Sequence, residues 1–178
     1  CAVMYRVNTQ SRALEEACLR QGVPYRLVGN LRFNARREIK DILSYLRLVL
    51  NPYDEVSLER VINVPPRGIG QKTMNSLTAW ARSIGLLKLT ALGLLAEDPK
   101  PLERASEPSI QMPSITTASR EALIRFYLTL QELRRASIEE NIVDLLDMVL
   151  ERTGYRNWLL EEEQDEERWE NLLELRGL

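Results

Sequence analysis

Residues 1–52 carry two short apolar runs, each followed by a helical pattern, and no later segment alternates as a strand does. That contrast limits the folds open to the chain. Ala2–Tyr5 predicts a buried strand, and Val23-Pro24-Tyr25-Arg26-Leu27-Val28 predicts a second. Between them a helix is expected from Thr9 to Gln21, with Leu14, Ala17 and Cys18 on one face and Gly22 at its end. After a turn at Gly29-Asn30, the residues Ile39, Ile42, Leu43, Leu46, Val49 and Leu50 fall at helical spacing, and Asn51-Pro52 closes that helix. Strand–helix–strand–helix is the pattern of a parallel α/β sheet. Two parallel strands cannot cover both faces of such a sheet. The remaining strands are therefore expected from elsewhere in a longer chain, or from another chain. Self-association through the incomplete sheet is the expected consequence where they are missing.

From Asp54 onward the periodicity is helical. Helices are expected over Asp54–Asn63 (Leu58, Val61 and Ile62 inward), Gln71–Ile84 (Met74, Leu77, Ala81, Ile84), Leu86–Leu95 and Ser119–Arg135 (Leu123, Phe126, Tyr127, Leu130, Leu133). Ser137-Ile138-Glu139-Glu140 has the spacing of a capping box. It is expected to open a helix carrying Ile142, Leu145, Leu146 and Val149 that stops near Gly154. The acidic tail from Tyr155 to Leu178 reads as helical, packed through Trp158, Trp169, Leu172 and Leu173. Glu97–Pro113 carries four prolines and reads as a linker or surface loop. The expected class is mainly α: a partial α/β edge over residues 1–52, then an all-helical domain over 53–178 with a helix–hairpin–helix-like element.

Several chemistries are excluded by composition. Histidine is absent, which removes histidine general bases, Ser–His and Cys–His nucleophile pairs and histidine metal sites together. Two cysteines make no disulfide framework, and no metal site is expected. No run of 18 apolar residues suggests a membrane span, so no membrane partner is expected and the expected compartment is the cytoplasm. There is no GxxxxGK[ST] phosphate loop, and neither Asp54-Glu55 nor Asp165-Glu166 follows an apolar strand. Charge is asymmetric. Residues 1–80 hold 12 Lys+Arg against 7 Asp+Glu, net +5, whereas 81–178 hold 12 against 19, net −7. Contact with a polyanion is therefore expected in the first half.

Three segments there could carry it. Val64-Pro65-Pro66-Arg67-Gly68-Ile69-Gly70-Gln71-Lys72-Thr73 lies between two expected helices. Its glycines permit a tight turn, and the free N–H groups of the second helix suit a phosphate, with Arg67 and Lys72 adding charge. The same residues also fit a plain αα-hairpin. Tyr5-Arg6 stands at a strand's carboxyl end, where open parallel sheets bind ligands; from the residues alone, a core-edge tyrosine beside a solvated arginine is the favoured reading. Arg32, Phe33 and Arg36 open a helix, where the dipole disfavours cations. They are candidates for a DNA or interdomain contact, or for a solvated helix face.

Taken in order, these segments resemble the UvrD/Rep/PcrA group of superfamily-1 DNA helicases. Ala2-Val3-Met4-Tyr5-Arg6-Val7-Asn8-Thr9-Gln10-Ser11-Arg12 is similar to the group's motif IV, and Arg60-Val61-Ile62-Asn63-Val64-Pro65 with Arg67-Gly68-Ile69-Gly70 to its GIG element. Leu31-Arg32-Phe33, Arg36, Glu38-Ile39-Lys40-Asp41, Gly154-Tyr155-Arg156 and Glu170-Asn171-Leu172 match further landmarks. The resemblance implies that residues 1–52 are part of the second RecA-like motor domain, 2A, and the rest an inserted helical domain, 2B. It implies that Tyr5 stacks on adenine and that Arg6, the catalytic candidate, reaches the γ-phosphate. It also implies that Arg67, Gly68, Ile69, Gly70, Lys72 and Thr73 hold duplex DNA backbone ahead of the single strand. ATP and Mg²⁺ would serve a full-length 3′–5′ helicase, with repair or replication proteins as partners. Neither is expected bound to this piece. The rival expectation is a stand-alone helix–hairpin–helix module that binds DNA or protein without enzymatic activity.

Because the phosphate loop and acid pair are missing from these residues, the purified chain is expected to hydrolyse no ATP. Turnover above a mock-purified control in a phosphate-release assay would overturn that expectation.

Overall fold

A computed structural model of the chain describes residues 3–4, 9–26, 33–97 and 115–177. The described elements are α1 (Thr9–Arg20), a 3₁₀ turn (Phe33–Ala35), α2 (Arg37–Leu50), α3 (Glu55–Val61), α4 (Gln71–Ser83), α5 (Lys88–Glu97), α6 (Thr117–Glu139), α7 (Ile142–Arg152), α8 (Tyr155–Asn157) running into a π turn (Trp158–Glu162), and α9 (Glu166–Arg176). The chain is thus mainly helical. Among the described residues no helix is by itself long and apolar enough to cross a membrane. Two compact units form: residues 1–40 with 159–178, and residues 41–158.

The second unit holds an apolar core. The helix pairs α3–α5, α4–α5, α5–α6, α6–α7 and α7–α8 are packed together. Tyr45, Leu48, Leu58, Ile62, Leu92, Leu95, Leu123, Leu130, Leu133 and Tyr155 are fully buried. Each such aliphatic side chain contributes about 1.5–3 kcal/mol on leaving water. Where α5 approaches α6, a β-carbon on Gly93 would lie 2.8 Å from the Tyr127 hydroxyl, so a larger residue there would displace that ring. Two buried charges are paired. Asp41 meets Arg60 Nε at 2.7 Å and accepts the Tyr155 hydroxyl at 3.1 Å. Lys88 donates to Glu55 and, at 2.8 Å, to Glu59. Burial works against the Lys88 charge, but the hydrogen bonds and charges of the two glutamates outweigh it, and its pKa rises.

Helix starts follow local chemistry. The Asp54 carboxylate caps α3 by accepting the Ser57 N–H at 2.9 Å, and that bond holds its pKa below the usual carboxylate range. Thr116 caps α6 by accepting the Ser119 N–H. The expected capping box at Ser137–Glu140 does not form. α6 continues through Glu139, Ser137 Oγ donates back to the Arg134 carbonyl at 2.8 Å, and Asn141 caps α7 by accepting from Val143 and Asp144. The good helix formers before Ser137 carry the helix past it, and an asparagine is an equally strong cap. In α2 the buried face is broader than expected. Tyr45 and Leu48 join Ile39, Ile42, Leu46 and Val49, while Leu50, expected inward, is exposed.

The first unit is held differently. α1 packs on α9. Beside them Arg36, Glu38 and Asn171 form a buried polar network: Arg36 Nη1 donates to Asn171 Oδ1 at 2.6 Å, and Asn171 Nδ2 donates to Glu38 Oε1 at 2.7 Å. Glu174 lies 3.8 Å from Arg36, whose guanidinium sits over the Phe33 ring. The two expected strands do not appear among the described residues. Val3, Met4 and Val23–Arg26 adopt no regular structure and are exposed, and the other residues of both runs lie outside the described set. A strand is stabilised by a neighbouring strand's backbone, and the described residues of these runs pair with none. The expected linker, Glu97–Pro113, lies outside the described residues except for Glu97, the last residue of α5.

Asn171→Ala removes the amide that serves Arg36 and Glu38 at once. The loss should be on the order of 2–3 kcal/mol, because two buried charged groups each lose a partner. Urea unfolding followed by circular dichroism measures it; a loss under about 0.5 kcal/mol, a typical surface-substitution effect, would remove this network as the clasp of the first unit.

Candidate nucleic-acid interface

The segment between α3 and α4 is fixed by three residues from its own ends. Asn63 Oδ1 accepts the backbone N–H of Arg67 at 2.7 Å and of Ile69 at 3.1 Å, folding the chain into a compact loop. The Ile69 side chain is buried and anchors the loop to the core. Gly68 has φ +74°, a left-handed conformation that glycine adopts without penalty. The Val64–Pro65 peptide is cis.

Gly70 is the N-cap of α4 in extended conformation, and it brings no side chain to cap the helix. The first N–H groups of a helix have no acceptor within it, so they face outward with the positive end of the dipole. Gly68, Gly70 and Lys72 are exposed together at this end. A β-carbon at Gly68 or Gly70 would meet nothing within 4 Å. The protein thus leaves clear space over the helix start, with a lysine beside it.

Arg67 and Thr73 are placed otherwise. The Arg67 guanidinium donates from Nη1 to the carbonyls of Pro65 (2.8 Å) and Val61 (3.4 Å), and from Nη2 to the Tyr45 hydroxyl (2.8 Å) and the Thr153 carbonyl (3.1 Å). It also lies over the Phe126 ring, 5.5 Å from its centre. Its terminal N–H groups are thereby committed to protein acceptors. Tyr45 in turn donates to the Val64 carbonyl. Burial pushes the Tyr45 hydroxyl up to about 12, partly offset by the Arg67 charge and hydrogen bond. Thr73 is buried, with its hydroxyl 3.3 Å from Ser119 Oγ. Phe33 and Arg36 belong to the buried network of the first unit, while Arg32, Tyr5 and Arg6 lie outside the described residues. Sequence reasoning missed Tyr45 and Asn63. Tyr45 lies three residues after Ile42, in phase with the buried face of α2; nothing in the periodicity marks Asn63 as a side-chain acceptor. No grouping of three Asp, Glu or Cys side chains able to hold a metal ion occurs among the described residues.

The sequence model of the UvrD-like helicase C-terminal domain matches residues 1–176. The chain is 38% identical over 176 residues to ATP-dependent DNA helicase UvrD1 of Mycobacterium tuberculosis, covering 98% of this chain and 21% of that protein. It is 35% identical over 167 residues to ATP-dependent DNA helicase PcrA of Staphylococcus epidermidis, covering 94% and 21%. It is 37% identical over 177 residues to DNA helicase II of Haemophilus influenzae, covering 98% and 22%. The chain belongs to the UvrD-like helicase C-terminal domain family, and it spans about a fifth of the length of these relatives.

Tyr45→Phe deletes the hydroxyl that accepts from Arg67 and donates to Val64. The expected cost is about 1–3 kcal/mol at neutral pH, read from urea unfolding. A folded-state pKa above the ordinary 10 means that folding favours the neutral hydroxyl. This contribution is therefore complete below pH 10 and lost as pH climbs from 10 to 12. The raised Lys88 pKa adds an alkaline loss of the same sign, which the variant keeps. Stability of the Tyr45→Phe variant should thus fall less steeply over this window than that of the parent; equal slopes would exclude Tyr45 as the titrating group.

Proposed function

We propose that this chain is part of an ATP-dependent 3′–5′ DNA helicase, in which it supplies one edge of the ATP site and a grip on duplex DNA backbone. Family membership and the names of the relatives support the helicase reading. The observation that carries the DNA contact is the exposed Gly68-Ile69-Gly70 loop, anchored by buried Ile69 and leading into an uncapped helix. Free N–H groups at the start of α4 hold one phosphate, and Lys72 adds charge beside it. Gly68 and Gly70 keep the approach clear. Arg67 shapes the loop from behind. Such contacts position a duplex without reading its sequence.

Residues 1–52 would form the partial α/β edge of motor domain 2A, with 53–178 belonging to the helical 2B domain and the α3–loop–α4 segment to its helix–hairpin–helix element. The exposed apolar side chains Val3, Met4, Leu19 and Val23 support an edge that other strands cover in the longer protein. There Tyr5 would stack on adenine and Arg6 would place a fixed positive charge at the γ-phosphate, where charge develops during hydrolysis. The Mg²⁺ and the phosphate cradle that such hydrolysis uses would be held by segments outside this chain.

The DNA contact is tested with labelled duplex at two salt concentrations. Binding by this chain should be sequence-blind, with a dissociation constant no tighter than about 10⁻⁴ M at physiological salt. Lys72→Glu should reduce the slope of log K against log salt by about 0.9, the share of one phosphate. Gly70→Val should weaken binding with little change in thermal unfolding, since the fold leaves its β-carbon free. If both variants bind as the parent does, the loop is only a turn.

A further inference from the structure

A cleft of about 220 Å³ opens on the second unit with Arg67 in its wall. Arg125, Phe126 and Thr129 of α6 and Arg152 and Thr153 at the end of α7 complete most of the lining. Three guanidinium-bearing side chains from three elements meet there, and no carboxylate is among the lining residues. Arg67 brings a charge bonded only to carbonyls and a hydroxyl, with an aromatic ring beneath it. Arg125 and Arg152 do have acidic neighbours outside the lining, Glu121 at 3.6 Å and Glu132 at 3.2 Å. Both pairs are about half exposed or more, so they hold the arginines weakly and release them readily to a stronger anion.

We propose that this cleft binds a phosphate group, with Arg125 and Arg152 as its ligands and Arg67 as the fixed charge behind them. Guanidinium groups match tetrahedral oxyanions through paired N–H donors. A concavity with low-dielectric walls concentrates the field of like charges. Three positive charges favour a phosphate, whose several oxygens can accept from more than one guanidinium, over a carboxylate, and the small volume suits a compact group. Thr129 adds a hydroxyl donor. The group has two sources, free orthophosphate or a phosphodiester of nucleic acid, and the test separates them.

Thermal unfolding of the 178-residue chain is followed in sodium phosphate and in sodium chloride at equal ionic strength. Phosphate should raise Tm in a saturable way. In Arg125→Gln/Arg152→Gln the apparent affinity should fall by about tenfold or more, the loss expected when two charge-assisted contacts are removed. Both side chains sit on outer helix surfaces, and circular dichroism checks that the variant folds. Lys72→Glu should keep the orthophosphate response, so the result stands apart from the loop's role with DNA. In the duplex titration, a slope shallower by about 0.9 in the double variant assigns the cleft to a backbone phosphodiester; an unchanged slope with the orthophosphate response lost assigns it to free phosphate. A rise equal in parent and double variant is the general stabilisation of the folded state by phosphate excluded from the protein surface and overturns the site. Phosphate no better than chloride overturns it too.

Discussion

The shape of the second unit around its loop depends on one buried junction, Tyr45 with Arg67. The arginine's planar fork gathers the carbonyl that ends α3, the Pro65 carbonyl of the loop, the carbonyl that follows α7 and the hydroxyl of α2, while its face covers an aromatic ring of α6. Four elements and the loop are thus tied to a single side chain. Carbonyl groups at helix ends need donors, and a half-buried cation needs acceptors; each satisfies the other. No long helix dictates this loop. It is fixed because a rigid five-donor group sits beneath it and Asn63 holds its backbone from the side.

This junction also marks where sequence reasoning stopped. Helices from Asp54 onward were legible because apolar side chains recur at helical spacing, and their ends fell within a few residues of those observed. The turn was legible as well, since glycines at 68 and 70 permit it, but the burial of Ile69 between them was not. The partners of Arg67 were not. Its acceptors come from positions 45, 61, 65 and 153, and charge beside glycine in a sequence points as readily to phosphate as to a carbonyl eighty-six residues away. Ser137 misled for a related reason: a capping spacing is a local signal, and the helix before it had enough propensity to run through. The strands of the first unit were readable only as a need. Apolar alternation states that a face wants covering without stating what covers it.

The two units are stabilised by opposite means. The second buries a continuous set of aliphatic and aromatic side chains and pairs its few internal charges. The first closes on an amide bridging an arginine and a glutamate, and leaves several large apolar side chains in water. Polar clasps specify which segments meet, but they contribute little net free energy, because the groups were well solvated before. Recognition between the early and late parts of the chain is therefore encoded before the apolar cover is complete.

Gly70 carries a final implication, for engineering. An extended N-cap with open space around it is where serine, aspartate or asparagine would stabilise a helix, by about 1 kcal/mol over a residue that cannot cap. Glycine forgoes that side-chain bond and adds flexibility to the unfolded chain. A consensus-blind search for thermostability would therefore select this position early. The new hydroxyl or carboxylate would occupy the very donors that the loop holds open, and an aspartate would repel any anion approaching them. A more heat-resistant protein obtained that way would have exchanged the open donors of the loop for a capped helix.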